Sequence, residues 1–169
     1  LSSLTYNEGD AATSITSTLT VSDEDDTQLD SAKVYVSTAF DATEDVLALP
    51  APVGGITGTY NAVSGVLTLS GTETLANYQT ALRSVTYQNT DGVSPSTTSR
   101  EITYEVYDWD DISNSVTREI DIIPANATPV LASIEGTTIA FTENDGATSI
   151  TASLTLTDSD NTNLVGATA

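Results

Sequence analysis

Apolar residues in this chain alternate with Thr and Ser at a period of two over short runs, the pattern of half-buried β-strands. Residues 1–6 predict a first strand. Residues 13–22 predict a second, with Ile15, Leu19 and Val21 on one face and Thr16, Thr18 and Thr20 on the other. The run Asp23-Glu24-Asp25-Asp26 ends it, because acids form strands poorly and turns well. Residues 32–40 alternate again through Val34 and Val36, and 46–49 is short, closed by Pro50 and Pro52. Residues 56–60 and 66–70 flank Asn61-Ala62-Val63-Ser64-Gly65, a hairpin signal. One segment changes period: over 74–82 the apolar residues Leu75, Tyr78 and Leu82 are three and four apart, which predicts a short helical turn. Strands resume at 83–88, 100–107 and 116–123, the middle one carrying Ile102, Tyr104 and Val106 inward.

Seven to nine short strands with regular turns predict an all-β fold, a two-sheet Greek-key β-sandwich of the immunoglobulin kind, with a barrel as the alternative. The inward sets predict a core of Ile15, Leu19, Val21, Val34, Val36, Leu67, Leu69, Val85, Tyr87, Ile102, Tyr104, Val106, Ile120 and Ile122.

The pattern then restarts. Residues 6–34 and 141–169 align without a gap at an offset of 135, and 14 of the 29 positions are identical. The identities include Glu8/Glu143, Asp10/Asp145, Ile15/Ile150, Leu19/Leu154, Asp23/Asp158, Asp25/Asp160 and Leu29/Leu164. So long a period makes each repeat a whole domain in a tandem array. Residues 1–123 form a complete repeat, 124–130 a linker, and 131–169 the incomplete opening of the next. That opening carries Ile139, Phe141, Ile150, Leu154 and Leu156 without the strands that cover their equivalents. It is therefore expected to continue in a longer chain, or to be donated into a neighbouring subunit.

Composition narrows the function. Four basic residues against 24 acidic ones give a net charge of −20, which repels nucleic acid and anionic membranes. The chain has no His, Cys or Met, so it holds no triad, thiol chemistry or ordinary zinc or haem site, and no disulfide to staple it. No apolar run reaches membrane-spanning length. A lysine-poor acidic surface suits saline or divalent-rich water outside a cell.

Calcium takes six to eight oxygen ligands, many of them carboxylates, and the acids of this chain are spaced to offer them. Asp23-x-Asp25, Asp108-x-Asp110 and Glu8 all sit where strands give way to loops, and alternate acids in an irregular loop can address one ion. A chain with 24 acids also shows such clusters on ordinary solvated turns. Glu8, Asp23 and Asp25 nevertheless recur as Glu143, Asp158 and Asp160, while Glu24 and Asp26 become Ser159 and Asn161. Asp10/Asp145 recurs too, and equally suits a turn-forming acid.

Taken together, the turns NEGD and TEND, the strands ending in SDED and TDSD, the strand ending EVYDWD and the linker NATP resemble the cadherin-type repeats of large bacterial surface adhesins. The stretch GVLTLSGTETLANYQTALRSVTYQNT followed by REITYEVYD is similar to the bacterial form of that repeat. The resemblance implies an extracellular sandwich strung in tandem with calcium at the junctions. It implies that Glu8, Asn126, Asp158 and Asp160 share one junction, that Asp23, Asp25 and Asp108 face a preceding repeat, and that Glu143 faces a following one. Two features depart from the family: the linker offers only Asn126 and carbonyls, and Leu75-Ala76-Asn77-Tyr78 stands where a mid-domain acidic motif is expected.

Further readings compete. Lys33 with a neighbouring Asn and acid could form an isopeptide crosslink, although its repeat counterpart is Thr168. Asn126-Ala127-Thr128 is a glycosylation sequon. Trp109 and Tyr107 could stack on a sugar, which gives the alternative function of a carbohydrate-binding or accessory module of a secreted enzyme. Paired carboxylates could serve a glycosidase, but no pocket-forming insertion accompanies them, and the chain is read as not an enzyme. The expected function is a structural spacer or adhesive module of a long extracellular surface protein or filament. Its partners would be neighbouring repeats or identical subunits, and surface glycans.

Overall fold

The computed structural model describes residues 2–92, 94–161, 163 and 165–167, and divides into two units, Leu1–Ala125 and Asn126–Ala169. The equivalents Leu164 of Leu29 and Thr168 of Lys33 lie outside the described residues.

The first unit is an all-β sandwich with one helix. Its strands are β1 (Leu4–Asn7), β2 (Thr13–Ser14), β3 (Gln28–Thr38), β4 (Asp45–Ala48), β5 (Thr57–Asn61), β6 (Val66–Thr74), β7 (Thr86–Asn89), β8 (Arg100–Tyr107) and β9 (Val116–Ile123), and helix α1 (Leu75–Ser84) lies between β6 and β7. One sheet has the order β1-β9-β8-β3-β6-β5 and the other β2-β7-β4. All pairings in the first unit are antiparallel except β1 with β9, which run parallel with Tyr6 opposite Ile122.

Alternation along β3 and β8 puts Ala32, Val34, Val36, Ile102 and Tyr104 into the core, where Ile15, Leu47, Val85 and Tyr87 meet them. Eleven of the fourteen expected core residues are buried, and Leu19, Val21 and Val106 are half-buried against them. Pattern reading left out Tyr6, Leu29, Leu47 and Ile56, which are also buried. The Tyr6 ring meets Tyr87 edge-on at 5.3 Å, a favoured aromatic geometry.

The expected helical turn is a ten-residue helix. Thr74 caps it by accepting from the Asn77 N–H at 3.2 Å, and Tyr78, Ala81 and Leu82 form its buried face. Its last turn consumes residues 83 and 84, so the following strand starts at Thr86 rather than 83. Before the helix, Gly71 takes φ 138° against the Gly55 carbonyl, where an added Cβ would come within 2.5 Å, so only glycine fits.

The largest correction concerns 13–22. Only Thr13–Ser14 is a strand; the rest is an irregular strap. After Ile15, which donates to the Val85 carbonyl, side chains replace the ladder. Gln79 Oε1 accepts from the Val21 N–H at 3.2 Å, Arg83 Nε donates to the Leu19 carbonyl at 2.7 Å, and Arg118 Nη1 donates to the Ile15 carbonyl. Lys33 places its ammonium 4.9 Å from the centre of the Tyr107 ring.

The second unit holds an antiparallel pair, β10 (Val130–Ala132) and β11 (Thr155–Thr157). Its apolar residues are bare: Phe141 is 65% exposed and Ile150 81%, where their counterparts Tyr6 and Ile15 are 1% and 0%. No counterpart of β7 or β9 falls within residues 126–169 to cover them.

Candidate functional site

The recurrent acids have a common local geometry. Asp23 Oδ1 accepts from the N–H groups of Asp25 and Asp26 at 3.1 and 3.0 Å, Asp108 Oδ1 from Asp110 and Asp111 at 2.9 and 2.6 Å, and Asp158 Oδ1 from Asp160 and Asn161, both at 3.3 Å. Each first aspartate thus closes an Asx turn, and Asp108 and Asp158 do so directly after strands ending at Tyr107 and Thr157. Asp10 and Asp145 lock a different turn in the same way twice. Asp10 Oδ2 accepts from the Asn7 N–H at 3.0 Å and Asp145 Oδ2 from Thr142 at 2.8 Å. That recurrence needs no metal.

One end of the first unit concentrates charge. Carboxylate oxygens of Asp23, Asp25 and Asp26 lie within 4.8 Å of one another. Desolvation raises the Asp26 carboxyl, and the charges of Asp25, Asp108, Asp23 and Asp110 raise it further. The two acidic loops are therefore close enough to repel. Asp23 moves the other way, because the N–H groups of Asp26 and Asp25 hold its carboxylate. Of the expected ligands, Asp23 and Asp25 are thus neighbours, and the charges of Asp108 and Asp110 are felt at Asp26. Asp26 joins them, although its loss of charge at Asn161 argued against it.

The others are placed as follows. Glu8 sits in the first unit, donating its N–H to the Ile123 carbonyl at 2.8 Å and accepting from the Ala125 N–H through Oε2 at 2.9 Å. In the second unit Asp160 Oδ2 accepts from Ala127 N–H at 2.9 Å, and its carboxyl is lowered by the bond with Asp158 and then by Ala127. Asn126 is exposed and turns its amide onto the Ala127 carbonyl at 2.7 Å. Glu143 is exposed in a turn. The sugar-stacking pair is uneven: Trp109 is 56% exposed, whereas Lys33 covers a face of Tyr107.

Sequence reasoning missed a buried polar cluster elsewhere. Arg100 is sealed from solvent, with Nε 3.1 Å from Asp45 Oδ2 and Nη2 2.8 Å from Glu44 Oε2. Tyr87 donates to Asp45 Oδ1 at 2.6 Å, Asn89 Nδ2 to Glu44 Oε2 at 3.1 Å, and the Ser96 N–H to both Glu44 oxygens at 3.1 Å. Arg100 also donates to the Ser96 carbonyl at 2.9 Å, pinning the loop before β8. The signal available was rarity, since one of only four basic residues opens an apolar strand.

Similarity to known proteins is confined to part of the chain. Residues covering 48% of it are 43% identical, over 86 aligned positions, to halomucin of Haloquadratum walsbyi (strain DSM 16790 / HBSQ001). The chain spans about 1% of the length of that curated relative. No protein-family model matches the chain, and no solved structure matches it. Among the described residues no helix is long and apolar enough to cross a membrane.

Proposed function

We propose that the chain is a spacer module of a very long extracellular surface protein, repeated in tandem and stiffened by calcium held in its acidic loops. The observation that carries this reading is the recurrence, 135 residues apart, of one strand-and-acid set whose acids lie in turns outside the core. Partial similarity to a protein that the chain matches over about 1% of its length supports a small unit within a long polypeptide, and the name halomucin supports a mucin-like setting. The four basic residues also support it. Arg83, Arg100 and Arg118 bond inward and Lys33, though exposed, lies over a ring, so acids dominate the outer surface. Such a surface stays soluble and unaggregated in concentrated salt.

In this reading Asp23, Asp25 and Asp26, with Asp108 and Asp110 opposite, supply carboxylates at one end of the module, and Asp158 and Asp160 supply the equivalent loop of the next. The partners are other repeats of the same protein or identical subunits, and the module performs no catalysis. Cadherin-like relationship and adhesion belong to the same proposal.

Calcium titration tests it. At constant ionic strength, calcium should raise Tm by mass action with a Kd on the order of 0.1–1 mM, and Asp23→Asn with Asp25→Asn should remove the rise. An unchanged Tm in chelator and in 10 Kd of calcium would leave the loops as solvated turns.

A further inference from the structure

One pair of equivalent segments folds differently in the two units. In the second unit Thr155–Thr157 is strand β11, paired antiparallel with β10 so that Leu131 lies opposite Leu156. At the offset of 135 residues, Thr155, Leu156 and Thr157 are the counterparts of Thr20, Val21 and Ser22. In the first unit those three residues belong to the irregular strap and to no strand. Nearly the same sequence, Leu-Thr-Leu-Thr-Asp against Leu-Thr-Val-Ser-Asp, is thus a strand where β10 lies beside it.

The strap is engaged on one edge and open on the other. Successive residues of an extended chain turn their backbone groups to opposite edges. The Leu19 carbonyl and the Val21 N–H are both taken by side chains of α1, Arg83 at 2.7 Å and Gln79 at 3.2 Å. Thr20 and Ser22 therefore turn theirs away from the helix. Both residues are exposed, and neither forms a hydrogen bond among the described residues. A cavity of about 280 Å³ adjoins the strap, lined by residues 19–22, by Leu82, Tyr104, Val106 and Val116, and by polar residues that include Glu105. Side chains directly opposite in an antiparallel pair share a face. A leucine opposite Val21 would therefore lie on the face that Val21 packs against the core.

We infer that Thr20–Ser22 is the docking edge for an apolar strand of the Val130–Ala132 kind, which pairs antiparallel with it, sets a leucine opposite Val21 and turns the strap into a strand. In the repeat register that strand occupies the sixth to fourth positions before Leu1, since residue 136 is the counterpart of Leu1. The segment ahead of a repeat then belongs structurally to that repeat, as Val130–Ala132 belongs to the second unit with β11. The source of the strand rests on the tandem reading proposed above; the open edge does not.

The test joins an added copy of residues 124–135 directly to Leu1 of the whole 169-residue chain, in the repeat register, and compares it with the same residues scrambled. Both are measured in chelator, so a failed calcium titration and a failed docking are read separately. The native extension should raise Tm by about 2–4 °C over the scrambled one. Hydrogen exchange at the Thr20 and Ser22 amides should slow by about tenfold or more. Leu131→Asp in the added copy alone should abolish both gains; the change lies outside the original residues and leaves their fold intact. Equal Tm and exchange in the native and scrambled extensions would overturn the proposal. A rise in Tm without protection at Thr20 and Ser22 would do the same, because the added segment would then lie elsewhere. Protection of those amides in the unextended chain that grows with protein concentration would assign the edge to a second copy, and would also overturn it.

Discussion

Arg100 and Asp45 face each other with both side chains closed to solvent, Nε 3.1 Å from Oδ2. They come from strands β8 and β4 of different sheets, so the pair joins the two layers. A sealed ion pair gives little net stability over apolar packing, but breaking one side strands the other charge. Arg100→Met should therefore destabilise the fold by about 3–5 kcal/mol in urea unfolding. Tyr87→Phe, which removes only the 2.6 Å bond to Asp45, should cost about 1.5–3 kcal/mol.

The helix cap can be tested at small scale. Thr74→Ala leaves the Asn77 N–H without its acceptor and should cost about 1 kcal/mol. Thr74→Gly should cost only a few tenths of that, since glycine is tolerated at a cap.

Period told the helix from the strands, because Leu75, Tyr78 and Leu82 cannot share one face of a strand. The limits of β8 and β9 were also legible, each strand being bounded by polar loop residues. The strap at 15–22 was not. Its alternation is that of a strand, but its backbone is held by Gln79, Arg83 and Arg118, residues about 60 to 100 positions away. The same distance hid the Glu44–Asp45–Arg100 cluster. Of the candidate site, the turn-forming acids were visible as a recurrence, and the approach of the 108–111 loop to Asp26 was not, since it depends on how two loops meet in space.

The acidic end makes a pH prediction opposite in sign to that of the carboxylates held by hydrogen bonds. Asp26 has its folded pKa raised, so the folded state holds its proton more tightly than the unfolded one. That contribution favours folding in acid and is lost as pH rises through the folded pKa. Asp23, Asp41, Glu73 and Asp121 are lowered by hydrogen bonds, so their contributions are present at neutral pH and are lost as pH falls through their folded values. Asp26→Asn should accordingly raise Tm at pH 7 in chelator and shrink that gain toward pH 4. Scanning Tm against pH for both proteins checks it; equal curves would mean the loops do not repel.

Ile15 and Ile150 share a motif and differ in surroundings, which allows the tandem reading to be measured inside one molecule. Ile15 is fully buried, with its N–H on the Val85 carbonyl, whereas Ile150 is 81% exposed. Truncation of a buried isoleucine loses transfer energy and leaves a cavity, so Ile15→Ala should cost about 2–5 kcal/mol. Ile150→Ala should stay within about 0.5 kcal/mol in the same 169-residue chain. If residues equivalent to β7 to β9 are supplied, either by a longer polypeptide or by a second copy, Ile150→Ala should rise toward the cost of Ile15→Ala. The two sources separate by concentration. A cover supplied by a second copy makes the cost depend on protein concentration, and one supplied within the chain does not. A large cost for Ile150→Ala at all dilutions of the 169-residue chain would mean that this unit buries its apolar face by itself.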